Sequence, residues 1–119
     1  MFRQVKGPVP LSNSSLLKLS NDLLERGTSI RFQAKGFSMR PFIQDEDLIT
    51  VSPLWNFPIR VGDVVLYKTM DDQAIVHRVI RKTIKGSGTV FFIKGDAAFG
   101  QPEGVDTQRI LGRVTAIER

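Results

Sequence analysis

The stretch SIRFQAKGFSMRPFIQDEDLITV, Ser29 to Val51, decides how the rest of the chain is read. Its opening residues alternate: Ile30, Phe32 and Ala34 stand against Arg31, Gln33 and Lys35, the two-residue period of a half-buried strand. Its closing residues, DLITV, are a second strand-forming run. Between the two, Gly36 permits a positive φ or a close backbone approach, and Pro41 constrains the chain just beyond. Ser38 therefore sits in a sharp exit from a strand, between Phe37 and Met39. Asp45, Glu46 and Asp47 read as a solvated turn into the second strand.

The same pattern continues outward. DVVLYK, AIVHRVIRK, TVFFIK and ILGRVTAIE are further strand candidates. Turn signals separate them at Asn56-Phe57-Pro58, Asp71-Asp72, Lys85-Gly86-Ser87-Gly88 and Gly100 to Gly104, and IKGSGT reads as a hairpin tip. Many short strands joined by Gly, Pro and Asp predict a mainly β, coiled antiparallel domain rather than a parallel sheet. Towards the N-terminus, Met1 to Pro10 read as an arm. Leu16, Leu19, Leu23 and Leu24 then recur at helical spacing, with Ser12 to Ser15 as N-cap candidates and Gly27 as a stop. The expected organisation is an arm and one amphipathic helix, about Ser14 to Arg26, within residues 1–27, and a β domain over 28–119.

Composition narrows the chemistry. At 119 residues the chain holds one domain with a real core. It has no cysteine, so no disulfide framework or thiol nucleophile exists. Its single histidine, His77, argues against a multi-histidine metal centre, and no cofactor is expected. The net charge of +5 comes from scattered residues. The nearest approach to a cluster, HRVIRKTIK, reads as a solvated strand face, so no specific nucleic-acid partner is expected. A secretory signal needs roughly 7–15 consecutive apolar residues and a membrane span about 20. Neither run is present, which predicts a soluble, cytoplasmic chain.

Ser38 and His77 are the candidate reactive pair. A serine hydroxyl needs a base within hydrogen-bond reach and donors for the oxyanion that develops. Histidine can take a proton near neutral pH, and the alternation of AIVHRVI puts Ile75, His77 and Val79 on one strand face. A third group should orient the imidazole. Asp96 closes the strand FFIKGD, and Glu103 and Asp106 follow in the same loop. Asp63 reads as the turn residue before DVVLYK.

Taken in order, GFSMRPFIQDEDLITV, IRVGDVVLYK, IVHRVI, FFIKGD and ILGRV resemble the conserved boxes of type I signal peptidases and, more broadly, of the signal peptidase and LexA-type serine protease superfamily. The resemblance spans about Ile30 to Val114 and implies that superfamily's catalytic β fold. It implies Ser38 as nucleophile and His77 as general base, at the position where bacterial signal peptidases and LexA-type proteins carry lysine and the endoplasmic-reticulum and archaeal type carries histidine. It maps Lys94, Gly95 and Asp96 to the KGD box. Histidine-type members place orienting aspartates after that box, whereas AAFGQPEGVD stands here, so the supporting carboxylate is Asp96, with Glu103 and Asp106 as alternatives. Gly36 replaces the hydroxyl residue of signal peptidases, which leaves the oxyanion to backbone donors, chiefly the Ser38 N–H. Gly36 and Met39 are implied to border the substrate groove, and Glu46 stands where the family has a turn glycine. The implied function is a serine endopeptidase without a membrane anchor that cleaves an extended peptide of a protein substrate. The alternative is an inactive peptide-binding module of the same fold. A self-cleaving repressor is disfavoured: about 30 residues before the β domain are too few for a helix-turn-helix domain and linker, and no Ala-Gly or Cys-Gly pair occurs.

Overall fold

The computed structural model describes residues 13–55 and 58–119, with side chains from residue 17 onward. One helix, α1 (Asn13–Glu25), precedes seven strands: β1 (Ile30–Gln33), β2 (Leu48–Ser52), β3 (Val64–Lys68), β4 (Ala74–Lys85), β5 (Gly88–Lys94), β6 (Glu103–Asp106) and β7 (Ile110–Glu118). They form a single antiparallel, curled sheet in the order β1-β2-β7-β3-β4-β5-β6. The mainly β expectation holds.

The sheet is buried on both faces near its middle. Strand β3 reads VVLY without alternation because its two faces meet different cores. Val64 and Leu66 join Ile30, Phe32, Met39, Ile43, Ile49 and Val51 in one. Val65 and Tyr67 join Val79, Phe91, Ile93, Val105 and Ile110 in the other. Helix α1 closes the first core: Leu24 is buried in it, and Leu19 and Leu23 pack against it. The helix therefore docks on its own domain. It ends in paired reverse bonds, Gly27 N–H to the Leu23–Leu24 turn (Leu24 O, 3.0 Å) and Thr28 N–H to Leu23 O (2.9 Å), the Schellman arrangement. The sequence places this helix one residue too far along at each end. Leu16 and the residues of the arm lie outside the described side chains, as do Asn56 and Phe57.

Two expectations are corrected. The segment given as a turn, Gly100 to Gly104, runs into strand β6 at Glu103. Its Gly and Pro content hides a strand of four residues whose inward side chain, Val105, is fully buried opposite Phe91. The acidic run is not simply a solvated turn either. Asp47 is buried, accepts the Gln44 N–H at 2.7 Å and meets Arg119 at 3.3 Å. Asp45 accepts the Gly36 N–H at 2.8 Å. These two carboxylates tie down the β1–β2 connection, although Asp45, like Glu46, is exposed and only Asp47 is buried. Asp63 does act as the turn residue before β3, accepting the Arg60 N–H at 2.9 Å.

Candidate active site

The serine turn is the long β1–β2 connection. Ala34 and Asp47 extend the hairpin beyond the strands, with bonds of 2.7 Å from Ala34 N–H to Asp47 O and 2.8 Å from Glu46 N–H to Ala34 O. Inside this closed base the chain turns tightly, with Arg40 N–H on Phe37 O and Ile43 N–H on Met39 O. Gly36 adopts φ +93°, and a Cβ there would meet nothing within 4 Å, so conformation rather than crowding requires glycine. Met39 points inward and is buried in the first core, while Ser38 is exposed directly above it. Burying the methionine is what orients the serine outward.

His77 comes from β4, opposite Val65 of β3. Its Nε2 lies 3.0 Å from the Ser38 Oγ, a hydrogen-bond distance. Burial holds the imidazole below its ordinary pKa of 6.5, against the opposing pull of the Glu103 and Asp96 charges. The ring is therefore neutral at neutral pH, the form in which Nε2 can accept a proton.

The loop after β5 locks the pair together. Gly95 passes so close that a Cβ on it would stand 2.7 Å from the Ser38 carbonyl oxygen and 2.9 Å from His77 Nε2. The next residues are tied to the serine turn: Ala97 N–H donates to Ser38 O at 2.8 Å, and Asp96 N–H points to the Met39 sulfur at 3.4 Å. The Asp96 carboxylate is engaged by the fork of Arg78, with Nε at 2.9 Å and Nη2 at 2.8 Å. Arg78 also donates to Gly62 O at 2.9 Å and stacks on Phe42 at 4.7 Å.

The sequence-derived residues thus divide. Ser38 and His77 meet. Asp96 lies beside them, but its oxygens serve Arg78, and among the described residues it makes no hydrogen bond to His77. Glu103 accepts from the Tyr67 hydroxyl at 3.1 Å and pairs with Arg109 at 2.9 Å, and the Tyr67 and His77 ring centroids are 6.2 Å apart. Burial, then Glu103, pushes the Tyr67 phenol up, so it remains a donor. Asp106 is exposed and leads into a 3₁₀ turn, Thr107–Arg109, without capping it through its side chain. The backbone N–H of Ser38 has no acceptor among the described residues. Sequence reasoning passed over Arg78 and Tyr67. The signal for Arg78 was available: a cation next to His77 and an anion next to Gly95 are natural partners once those two residues touch. Tyr67 gave no such signal inside an apolar run.

A curled antiparallel sheet with one helix at its N-terminal end is the mainly β architecture that the resemblance to LexA- and signal-peptidase-like domains implies. The chain belongs to the peptidase S24-like family, whose model matches residues 8–114. No curated protein matches it. No helix among the described residues is long and apolar enough to cross a membrane.

Proposed function

We propose that this chain is a serine endopeptidase in which Ser38 is the nucleophile and His77 the general base. The observation that carries the reading is the 3.0 Å approach of Ser38 Oγ to His77 Nε2, with Gly95 packed so closely that a Cβ there would clash with the Ser38 carbonyl oxygen and the His77 ring. His77 Nε2 takes the hydroxyl proton as Ser38 Oγ bonds to a peptide carbonyl carbon. The Ser38 backbone N–H is the available donor to the oxyanion. The imidazolium then protonates the departing amine as the C–N bond breaks, leaving an acyl-enzyme. Water, deprotonated by the same nitrogen, hydrolyses the ester and restores Ser38.

The substrate is an extended peptide. Strand β1 is a sheet edge leading directly into the serine turn. Strand β4 pairs with β5 only from Arg78 onward, so Ile75 to His77 are in register with β3 alone. Two backbone edges therefore run up to the reactive pair, and strand addition along either aligns a peptide with it. Ala34 and Val76 are part-buried apolar side chains of these segments that pack on the first core, which suits small residues near the cut.

The test is cleavage of a peptide library read by mass spectrometry. The native chain yields products, and Ser38→Ala yields none while keeping its fold by circular dichroism. Retained cleavage in Ser38→Ala defeats the assignment. The absence of a carboxylate hydrogen-bonded to His77 among the described residues favours one other reading, a peptide-binding module that does not cut. Capture of extended peptides by the native chain without any product would establish that reading instead.

A further inference from the structure

The register of the sheet places one carboxylate on the same face as His77. Directly paired residues of neighbouring antiparallel strands share a face. Val65 pairs with His77 and Tyr67 with Ile75, so Tyr67 is the diagonal neighbour of His77 on β3. Val79 pairs with Ile93, and Ile93 with Glu103, so Glu103 ends the row that starts at Val79 on β4. Along β4, His77 lies between the row ending in Tyr67 and the row ending in Glu103. The Tyr67 hydroxyl bonds to Glu103 at 3.1 Å and so joins these two rows across that face. Arg78, next to His77 on the strand, faces the other way and takes Asp96 with it.

We propose that Glu103 is the positioning residue of the Ser38–His77 pair, a carboxylate held by Tyr67 and Arg109 that stabilises the protonated imidazole without touching it. This inference rests on the assignment of His77 as the base. Removing the Ser38 proton makes His77 a cation in a half-buried site, and an anion held nearby on the same face offsets that cost. Glu103 cannot swing away, because Tyr67 holds one oxygen and Arg109 the other, and Arg109 is itself anchored to Lys68 O at 2.8 Å. The part-burial of Arg109, with 15% of its side chain exposed, keeps this arrangement from being a mobile surface pair. Other charged groups placed near His77 are Asp96 and Arg78 on the opposite face, and Arg113, which shares the His77 row through Val65 and pairs with Asp63 at 3.5 Å. Asp96 is neutralised at both oxygens by one guanidinium, which leaves Glu103 as the larger negative influence on the imidazole.

The chain's single histidine makes the test direct. Proton NMR of tag-free protein follows the His77 ring resonances against pH in the native chain, Glu103→Gln, Asp96→Asn and Arg109→Gln. Glutamine keeps an acceptor for Tyr67 and removes the charge, together with the second acceptor oxygen that Arg109 uses. The expected result is a downward move of the His77 midpoint in Glu103→Gln that exceeds the move in Asp96→Asn, and an upward move in Arg109→Gln. An unchanged or raised midpoint in Glu103→Gln, or a larger downward move in Asp96→Asn, overturns the proposal. Should Glu103→Gln not fold, an unchanged or lowered midpoint in Arg109→Gln overturns it alone. The titration needs no turnover, so its outcome stands apart from that of the cleavage assay. A chain that titrates as expected but cuts nothing would refute the peptidase reading and leave only the charge coupling between Glu103 and His77 in place.

Discussion

Substituting Gly95 by alanine isolates the geometry on which the proposed chemistry depends. A Cβ at this position would stand 2.7 Å from Ser38 O, 2.9 Å from His77 Nε2 and 3.1 Å from His77 Cδ2. Ordinary contact lies about half an ångström further out, so the added methyl must displace a neighbour by that amount. The backbone oxygen cannot yield cheaply, because it also accepts the Ala97 N–H at 2.8 Å. The imidazole is the softer partner, and it moves away from the serine. A 3.0 Å hydrogen bond lengthened by about half an ångström is lost by ordinary geometric criteria. Overpacking of this kind costs about 1–3 kcal/mol of stability. General-base catalysis contributes about 10²–10⁴-fold, and a misplacement of this order forfeits roughly 10²-fold. Gly95→Ala is therefore expected to remain folded at 25 °C, to unfold at lower urea concentration, and to lose about two orders of magnitude in kcat on a library-selected fluorogenic peptide. An unaltered His77 NMR resonance with kcat within about threefold of the native value would refute the reasoning, since the pair would then tolerate a displacement that the mechanism forbids.

Four further outcomes follow from three separate features. Because burial lowers the His77 pKa, kcat/KM should fall with acidification at a midpoint below 6.5, and a midpoint above 6.5 would contradict the burial argument. Linkage has the matching sign: the unfolded histidine binds its proton first, so stability declines as pH drops from about 6.5 towards the folded pKa, and His77→Gln should lack that step in urea titrations. Glu46 is held at φ +74°, a region that strains side chains with a Cβ, so Glu46→Gly should gain up to about 1 kcal/mol in urea unfolding. Ser20 is fully buried in α1 with no partner for its hydroxyl among the described residues, and Ser20→Ala should raise the melting temperature, a gain of about 1 kcal/mol.

Much of the fold was legible because its signals are local. The alternation of Ile30, Phe32 and Ala34 announced β1, and the hairpin tip at Gly86-Ser87 joins β4 to β5 as its residues suggest. Strand β6 was illegible for an equally local reason: four residues that begin with Glu-Gly after a proline carry no period, and only pairing with β5 makes them a strand. The fixed carboxylates of Asp45 and Asp47 were hidden in the same way, since a run of acids says nothing of the amides that lie beside it once the chain turns.

By itself, the sequence determined which residue types were available: one histidine, no thiol, a serine in a constrained turn, and strand periods that admit few arrangements. Those properties are carried within a few residues of chain, where sterics and alternation act. Only the tertiary structure decided which of them meet. Ser38 and His77 are 39 residues apart and reach 3.0 Å because β1 and β4 curl toward one another around a shared core. Asp96 pairs with Arg78, and Glu103 with Tyr67, because register assigns each strand residue to one face of the sheet, a property of the pairing partner that no single strand can express.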